Sequence, residues 1–496
     1  MSLEEIRESR LRKLESLKAE FGEVFPSKII RNFTLAEVVA DFSKLSKKKT
    51  SIFLVGRVFG IRSHGGVVFC DFKDGSLDKK TGKKELLQAY LKKDILGEEK
   101  FLSFQNNIDT GDFVEFEGSL FKTQKGEKSI KVLSWRIIAK SLRPLPEKWH
   151  GLSDVEERFR KRYLDTVMND EVFSRFALRS KIISETRNFL DKNGFLEVET
   201  PVLQPLAGGA LAEPFKTRHN ALGIDLFLRI APELYLKRLL IGGFEKVYEL
   251  GRNFRNEGID MTHNPEFTML EFYAAYKDAD YLRGFIEEMF RGLAKKVFGK
   301  QKVSYENAEI DFSKKFSVVS FNDILKRHAL ISEPEKANLD DLKLKAKQFG
   351  IEIGNSDSWG KIADNIFKKV CRSKIIQPTF VVDIPLELSP LAKKKTDKEN
   401  EVDRFQLIVG GIELVNGFSE LNDPLDQKKR FEKQQEFRKA GDKEAAEFDK
   451  SFVEAMEYGM PPAAGAGIGI DRLVMFLTNT KNIREVVLFP TLRPKE

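Results

Sequence analysis

Cysteine is almost missing from this sequence: 496 residues carry only Cys70 and Cys371, far apart and in no CxxC pair. That scarcity argues against a disulfide framework or a zinc knuckle and points to a reducing compartment. No apolar run approaches the roughly 20 residues a membrane span needs. The opening stretch "MSLEEIRESRLRKLESLKAE" has no apolar core of the kind a signal peptide requires. A cytoplasmic protein without a membrane partner is the expectation. No GxxxxGK[ST] occurs, which excludes a P-loop enzyme, and no internal repeat is visible.

What is present describes a folded chain. Hydrophobic residues make up 41% and charged residues 32%, a balance that suits two or three domains with real cores. The formal charge is +8, with a pI near 9.0. A basic balance is compatible with a polyanionic partner, because neutralising phosphates releases counterions. Runs such as "KLSKKKT" (44–50) and "AKKKTDKEN" (392–400) are equally compatible with solvated surface.

Texture divides the chain. Leu3, Ile6, Leu14, Leu17 and Phe21 recur at helical spacing, so residues 1–50 read as a helical extension with one docking face. Residues 51–145 alternate apolar and polar in short runs broken by glycine-containing turns, the pattern of a small antiparallel barrel. The two prolines of "LRPLPEKWHG" (142–151) open a linker expected over 146–169. A long amphipathic helix then begins a region spanning 170–496, stopped at Gly194, and about 320–370 reads as a mostly helical insertion.

Chemistry concentrates in "FRNEGIDMTHNPEFTMLEFY" (254–273), where Arg255, Glu257, His263, Glu266 and Glu271 fall close together. Strand character on both sides of a turn-rich middle predicts a hairpin. In its second strand a period of two places Phe267, Met269, Glu271 and Tyr273 on one face. "APELYLKRLLIGG" (231–243) adds Glu233, and "GGIELVNGFSELNDP" (410–424) adds Glu413, Asn416, Phe418 and Glu420. "AGAGIGIDRLVMFLTN" (464–479) is a glycine-rich strand running into a helix headed by Asp471 and Arg472. Its glycines lack the third fingerprint position and the following acid of a dinucleotide loop. Close approach of the backbone to a nucleotide is the expected reason for them. Simple alternation sets Glu413 opposite Asn416, Phe418 and Glu420.

Three ordered segments, "FLEVETPVLQ", "GRNFRNEG" with "HNPEFTMLEFY", and "GIGIDRLVMFL", resemble motifs 1, 2 and 3 of the class II aminoacyl-tRNA synthetases. "NALGIDLFLRIAPELYLKRLLIGG", "NGFSELNDP", "LRPLPEKWHGL" and "PTLRP" resemble the bacterial lysyl branch (subclass IIb). The resemblance covers about nine-tenths of the chain. It implies an α+β protein: a five-stranded OB-fold barrel that binds the anticodon, then a catalytic domain on an antiparallel sheet flanked by helices. The implied activity is ATP-dependent formation of lysyl-adenylate and transfer of lysine to tRNA(Lys), by a homodimer built through motif 1.

By the same resemblance Arg255 and Arg472 are catalytic. Arg255, Glu257, His263, Asn264, Phe267, Glu413 and Arg472 hold ATP, with Phe267 on the adenine. Glu233, Arg255, Glu271, Tyr273, Asn416, Phe418 and Glu420 hold lysine. A buried ammonium needs such carboxylates, whereas an aspartate-activating relative would need cations there. Magnesium falls to Glu413, and for Glu413 to share the site with Asn416, Phe418 and Glu420 a bulge is expected near 414–416. "DRFQLIVGGIEL" (403–414) departs from the family by placing Gln406 where a second glutamate is usual, an oxygen donor without charge. In the barrel, Arg62, Phe69 and Gln88 match the readers of the central anticodon base. A protein-lysylating relative would lack that barrel, and a degenerate binding module would have lost Arg255, Glu271 or Arg472.

Overall fold

The alternating runs of residues 52–139 close on themselves. In a computed structural model, which describes residues 2–47, 51–79, 81–146, 152, 154–210, 212–354, 357–439 and 447–495, they form β1 (Ile52–His64), β2 (Val67–Leu77), β3 (Lys84–Lys92), β4 (Phe113–Lys122) and β5 (Lys128–Ala139). These make a closed barrel in the order β1-β2-β3-β5-β4. Alternation decides what fills it: β2 turns Val68, Cys70 and Phe72 inward to full burial. Burial pushes the Cys70 thiol far up from its ordinary value, so it is an inert core group.

The chain clusters into two compact units, Met1–Ser174 and Arg175–Glu496. In the first, the helix Leu3–Phe21 starts on a capping box between Ser2 and Glu5. It buries Leu14 and Leu17 in the barrel's core cluster and sets Phe21 against Trp135 at 5.0 Å. Within the stretch 146–169 expected as a linker, residues 155–168 are helical. They form the helices Val155–Arg160 and Arg162–Met168 and belong to the first unit. The cause is local polar bonding that outlasts the proline signal. Asp154 caps the first helix through the Glu156 and Glu157 amides, and Arg162 is buried on Asp165 at 2.7 Å. Residues 147–151 of that stretch, like 48–50 of the lysine run, lie outside the described residues.

The second unit is built on a mixed, largely antiparallel sheet. Its eight strands are β6 (Leu196–Glu197), β10 (Lys246–Phe254), β11 (Glu266–Ala275), β14 (Ser317–Ser320), β15 (Thr379–Pro385), β16 (Glu401–Val409), β17 (Ile412–Ser419) and β18 (Ala463–Gly469). They lie in the order β14-β15-β16-β17-β18-β11-β10-β6. Smaller sheets pair β7 (Leu203–Gln204), β8 (Lys216–His219) and β9 (Ile224–Leu228), and β12 (Lys302–Tyr305) with β13 (Ala308–Asp311).

One face of the sheet packs on the helix Ala279–Phe298. Its Leu282, Phe285, Ile286, Met289, Phe290 and Leu293 recur at helical spacing and join Leu270, Phe272 and Ala274 of β11 in a single core. Each such side chain, fully buried, stabilises by roughly 1.5–3 kcal/mol. The other face of β11 carries Phe267, Met269, Glu271 and Tyr273. Residues 321–371 are mostly helical and close their own small core around Leu342, Ala346, Ile362 and Ile366. The chain skips a register step at Leu414, the residue left over between the pairs Leu407↔Val415 and Ile408↔Glu413. Among the described residues no helix is long and apolar enough to cross a membrane.

Candidate active site

Strand register gathers the site. Across β16, β17, β18 and β11, Gln406, Asn416, Gly467 and Glu271 stand opposite one another, and Arg404, Phe418, Gly465 and Tyr273 form the next row. Directly opposed residues share a face, and in both rows β18 contributes glycine. A Cβ on Gly465 would overlap the Tyr273 ring and come 2.5 Å from a Glu420 carboxylate oxygen; one on Gly467 would run into Met269. These glycines make room for protein side chains, where the sequence suggested room for a nucleotide.

A cavity of about 460 Å³ opens over the rows, a size suited to small ligands. Glu233, Glu271, Tyr273, Asn416 and Phe418 line it, together with Gln406, Glu413, Arg255, Glu257, His263, Asn264, Phe267 and Arg472. The residues expected for ATP and for the amino acid therefore share one cavity. Glu420 stands behind the wall, 1% exposed, its Oε1 buried without a hydrogen-bond partner among the described residues.

Burial dominates the electrostatics. Glu233 opens the helix Glu233–Ile241, and Lys237, one turn on, puts Nζ 2.6 Å from Glu233 Oε1 and 2.5 Å from Glu420 Oε2. The same ammonium lies 5.3 Å from the Phe418 ring centroid. Tyr273 donates to Glu271 Oε2 at 2.9 Å. Burial, with repulsion from Glu233, lifts the Glu271 carboxyl above its ordinary range. Burial lifts Glu420 likewise, and Lys237 opposes that rise. Arg404 donates its Nε to Asn416 Oδ1 at 2.8 Å and so fixes that amide.

Guanidinium groups occupy the rest. Arg255 Nε is buried and without a partner among the described residues, and its Cζ lies 5.1 Å from the Phe267 ring centroid. Burial pulls its pKa down, and Glu257 and Glu271 oppose this. Arg472 reaches His263 Nε2 at 2.8 Å, while His263 Nδ1 meets Asp260 Oδ2 at 2.8 Å. The burial cost at Asp260 is outweighed by the Thr262 amide and His263, which hold it down to about 2. Asn264 donates to the Glu266 carbonyl at 2.6 Å and leaves its buried Oδ1 unpartnered. The arrangement offers two guanidiniums for oxyanions beside a buried acidic cluster for ammonium groups.

Sequence reading passed over Lys237 and Arg404. The Glu–Lys spacing of four in "ELYLK" pointed to the first, and the period of two in "DRFQ" to the second. Asp471, 2% exposed, accepts from the Thr268 amide at 2.7 Å and from Arg179 at 2.6 Å, tying the strand to two helices.

On the barrel, Phe69 and Asp71 alternate outward between the buried Val68, Cys70 and Phe72. Register sets Arg62 opposite Phe69, Phe69 opposite Tyr90, and Asp71 opposite Gln88. Arg62 grips Asp71 at 2.6 and 3.0 Å, and the Ser129 hydroxyl donates to Gln88 Oε1 at 3.2 Å. The Tyr90 ring lies 5.5 Å from Phe69 and 5.4 Å from Phe121. Tyr90 and Phe121 thus extend the half-buried Phe69 into an aromatic patch, the form of surface on which bases stack.

Comparison with known proteins follows these two parts. Residues 154–493 match the family of tRNA synthetases class II (D, K and N), and residues 52–138 match the OB-fold nucleic acid binding domain. The lysine–tRNA ligase of Pelotomaculum thermopropionicum is 47% identical over 496 residues, 100% of this chain and 96% of that protein. The lysine–tRNA ligase of Roseiflexus sp. is 46% identical over 497 residues, covering 100% of both. That of Aquifex aeolicus is 50% identical over 446 residues, 90% of this chain and 73% of that one.

Proposed function

Because this chain belongs to the class II tRNA synthetases of the aspartate, lysine and asparagine group, we propose that it joins L-lysine to ATP as lysyl-adenylate and passes lysine to the 3′-terminal adenosine of tRNA(Lys). The observation that carries the choice of lysine is the acidic cluster Glu233, Glu271 and Glu420, each under 10% exposed. Such a pocket penalises any amino acid without a second ammonium, because its own charges would stay unpaired.

The lysine carboxylate attacks the α-phosphorus of ATP and pyrophosphate leaves. No side-chain nucleophile takes part; the protein aligns the reactants and neutralises oxyanions. Arg255 holds the α-phosphate and the substrate carboxylate together. Phe267 stacks on the adenine, and Arg472, steadied by His263, covers the nucleotide from the other side. Glu257 and Asn264 complete the ATP contacts. Glu233, Glu271 and Tyr273 receive the α-ammonium, and Glu420 receives the ε-ammonium beside Asn416 and Phe418.

Magnesium fits the donors near the phosphates. Gln406 Nε2 donates to Glu413 Oε2 at 3.2 Å, so the Gln406 carbonyl and the remaining Glu413 oxygen are the protein's contribution. Among the described residues no group of three or more His, Cys, Asp or Glu could hold a metal alone. That suits an ion bound by one or two protein oxygens together with substrate phosphates. When bound, it supplies positive charge to the phosphate oxygens.

Motif 1 leaves Leu196, Val202 and Leu203 exposed. Such a patch supports a homodimer through that segment, working in the cytoplasm with the rest of translation. The decisive experiment is ATP–pyrophosphate exchange with each of the twenty amino acids. Lysine alone should drive strong exchange; equal exchange with aspartate or asparagine would refute the reading.

The barrel patch reads the anticodon, with Phe69 stacking on a base and Arg62 and Gln88 bonding to its edge. Phe69→Ala should reduce kcat/KM for tRNA charging by about 10- to 100-fold, the worth of about 1–3 kcal/mol of stacking. Lysine-dependent exchange should change by less than about twofold, the scatter expected where no contact is lost. Equal losses in both assays would show that the barrel patch has another role.

A further inference from the structure

A buried cation belongs to the amino-acid pocket itself. Lys237 is 1% exposed and its ammonium bridges Glu233 and Glu420 at 2.6 and 2.5 Å. We propose that Lys237 is a specificity-determining positioning residue: its ammonium favours the ionised form of Glu420 and occupies its Oε2 side, so that Oε1 is left for the substrate's ε-ammonium. This deepens the lysine-activating reading of the cavity and rests on it.

Charge balance carries the argument. Three buried carboxylates meet at the pocket: Glu233 and Glu271 line it, and Glu420 stands just behind its wall. Bound lysine brings two ammoniums, and its carboxylate is matched by Arg255. Two ammoniums against three carboxylates would leave one buried negative charge uncompensated, and such a group takes up a proton instead. Lys237 is the third ammonium. With it, each of the three carboxylates has an ammonium; Arg404, a further cation lining the cavity, is answered first by Glu413.

Geometry agrees. Lys237 lies on the Oε2 side of Glu420, off the direction of a good hydrogen bond; among the described residues both Glu420 oxygens are buried without a hydrogen-bond partner, and Oε1 lies beside Gly465, away from that ammonium. The other groups facing Glu420 are Glu233 from the same helix as Lys237, and Glu271 and Tyr273 from β11; β18 faces it with glycine. Among the described residues, Lys237 is thus the cation that most directly counters the repulsion of Glu233 and Glu271 on Glu420.

The test is the pH profile of kcat/KM for lysine in ATP–pyrophosphate exchange, from about pH 6.5 to 9. Lys237→Met keeps the stem and removes the charge. Its profile should shift to alkaline pH by at least about one unit, and KM for lysine at neutral pH should rise at least about tenfold. KM for ATP should stay unchanged. Lys237→Arg keeps the charge and should keep the wild-type midpoint. Should Lys237→Met not fold, the arginine variant still decides, because an alkaline shift in it overturns the proposal. A methionine variant whose profile superimposes on the wild type overturns it too. If the wild-type enzyme shows no lysine-dependent exchange, it is the functional reading that fails.

Discussion

Glu420→Gln should cost on the order of 10²–10³-fold in kcat/KM for lysine, the scale of breaking a buried ion pair at about 3–5 kcal/mol. Nearly all of it should appear in KM for lysine. The amide keeps the shape and loses the charge, so affinity for ATP, which meets other residues, should hold within about threefold. The pH dependence has a definite sign. Burial raises the folded-state pKa of Glu420 and Glu271 above the ordinary carboxylate value. A raised carboxyl favours the folded state while protonated, and that contribution fades as pH climbs through the shifted value. The empty enzyme should therefore lose stability from acid toward neutral pH, and lysine should restore it. The rise in melting temperature on adding lysine should accordingly grow with pH, and much less so in Glu420→Gln. A kcat/KM for lysine that falls by less than about tenfold in Glu420→Gln would remove the carboxylate from the ammonium site.

Arg255→Ala should reduce the rate of adenylate formation on the order of 10³-fold, the scale of deleting a preorganised oxyanion donor. The guanidinium has a buried, unpartnered Nε and stands over Phe267 in the shared cavity. In the proposed reaction it is the group that holds both reacting partners. Single-turnover formation of lysyl-adenylate separates this from binding: the chemical step should fall far more than affinity for either substrate. A loss of less than about tenfold would move the aligning role elsewhere, with Arg472 next in line. Arg255→Lys should recover only part of the rate, since a point charge does not reproduce a planar fork.

Much of this was legible in the sequence, for physical reasons that can be named. Period two in "EFTMLEFY" separated the faces of β11, because one face is core and the other is chemistry. The surplus residue at 414 was legible from parity once Glu413 and Asn416 were expected in one site, since they could not otherwise share a face. Other features were hidden. The helices at 155–168 rest on caps and ion pairs that a proline-rich approach masks. Lys237 reads as one more lysine in a lysine-rich chain until burial places it between two carboxylates. Tyr90 and Phe121 look like ordinary strand aromatics, and only barrel closure sets them beside Phe69. Gly465 is clear only once the Tyr273 ring is seen to need its space.

The skipped residue at Leu414 has a wider consequence. In the function proposed above, β17 offers Glu413 upstream of it toward the phosphates, and Asn416 and Phe418 downstream toward the amino acid. One length of main chain would then serve both reactants, with the interval between their handholds fixed by peptide geometry and not by side-chain rotamers. Nucleotide and amino acid would meet at a separation the sheet cannot easily change, a reach inherited from the scaffold before either arrives.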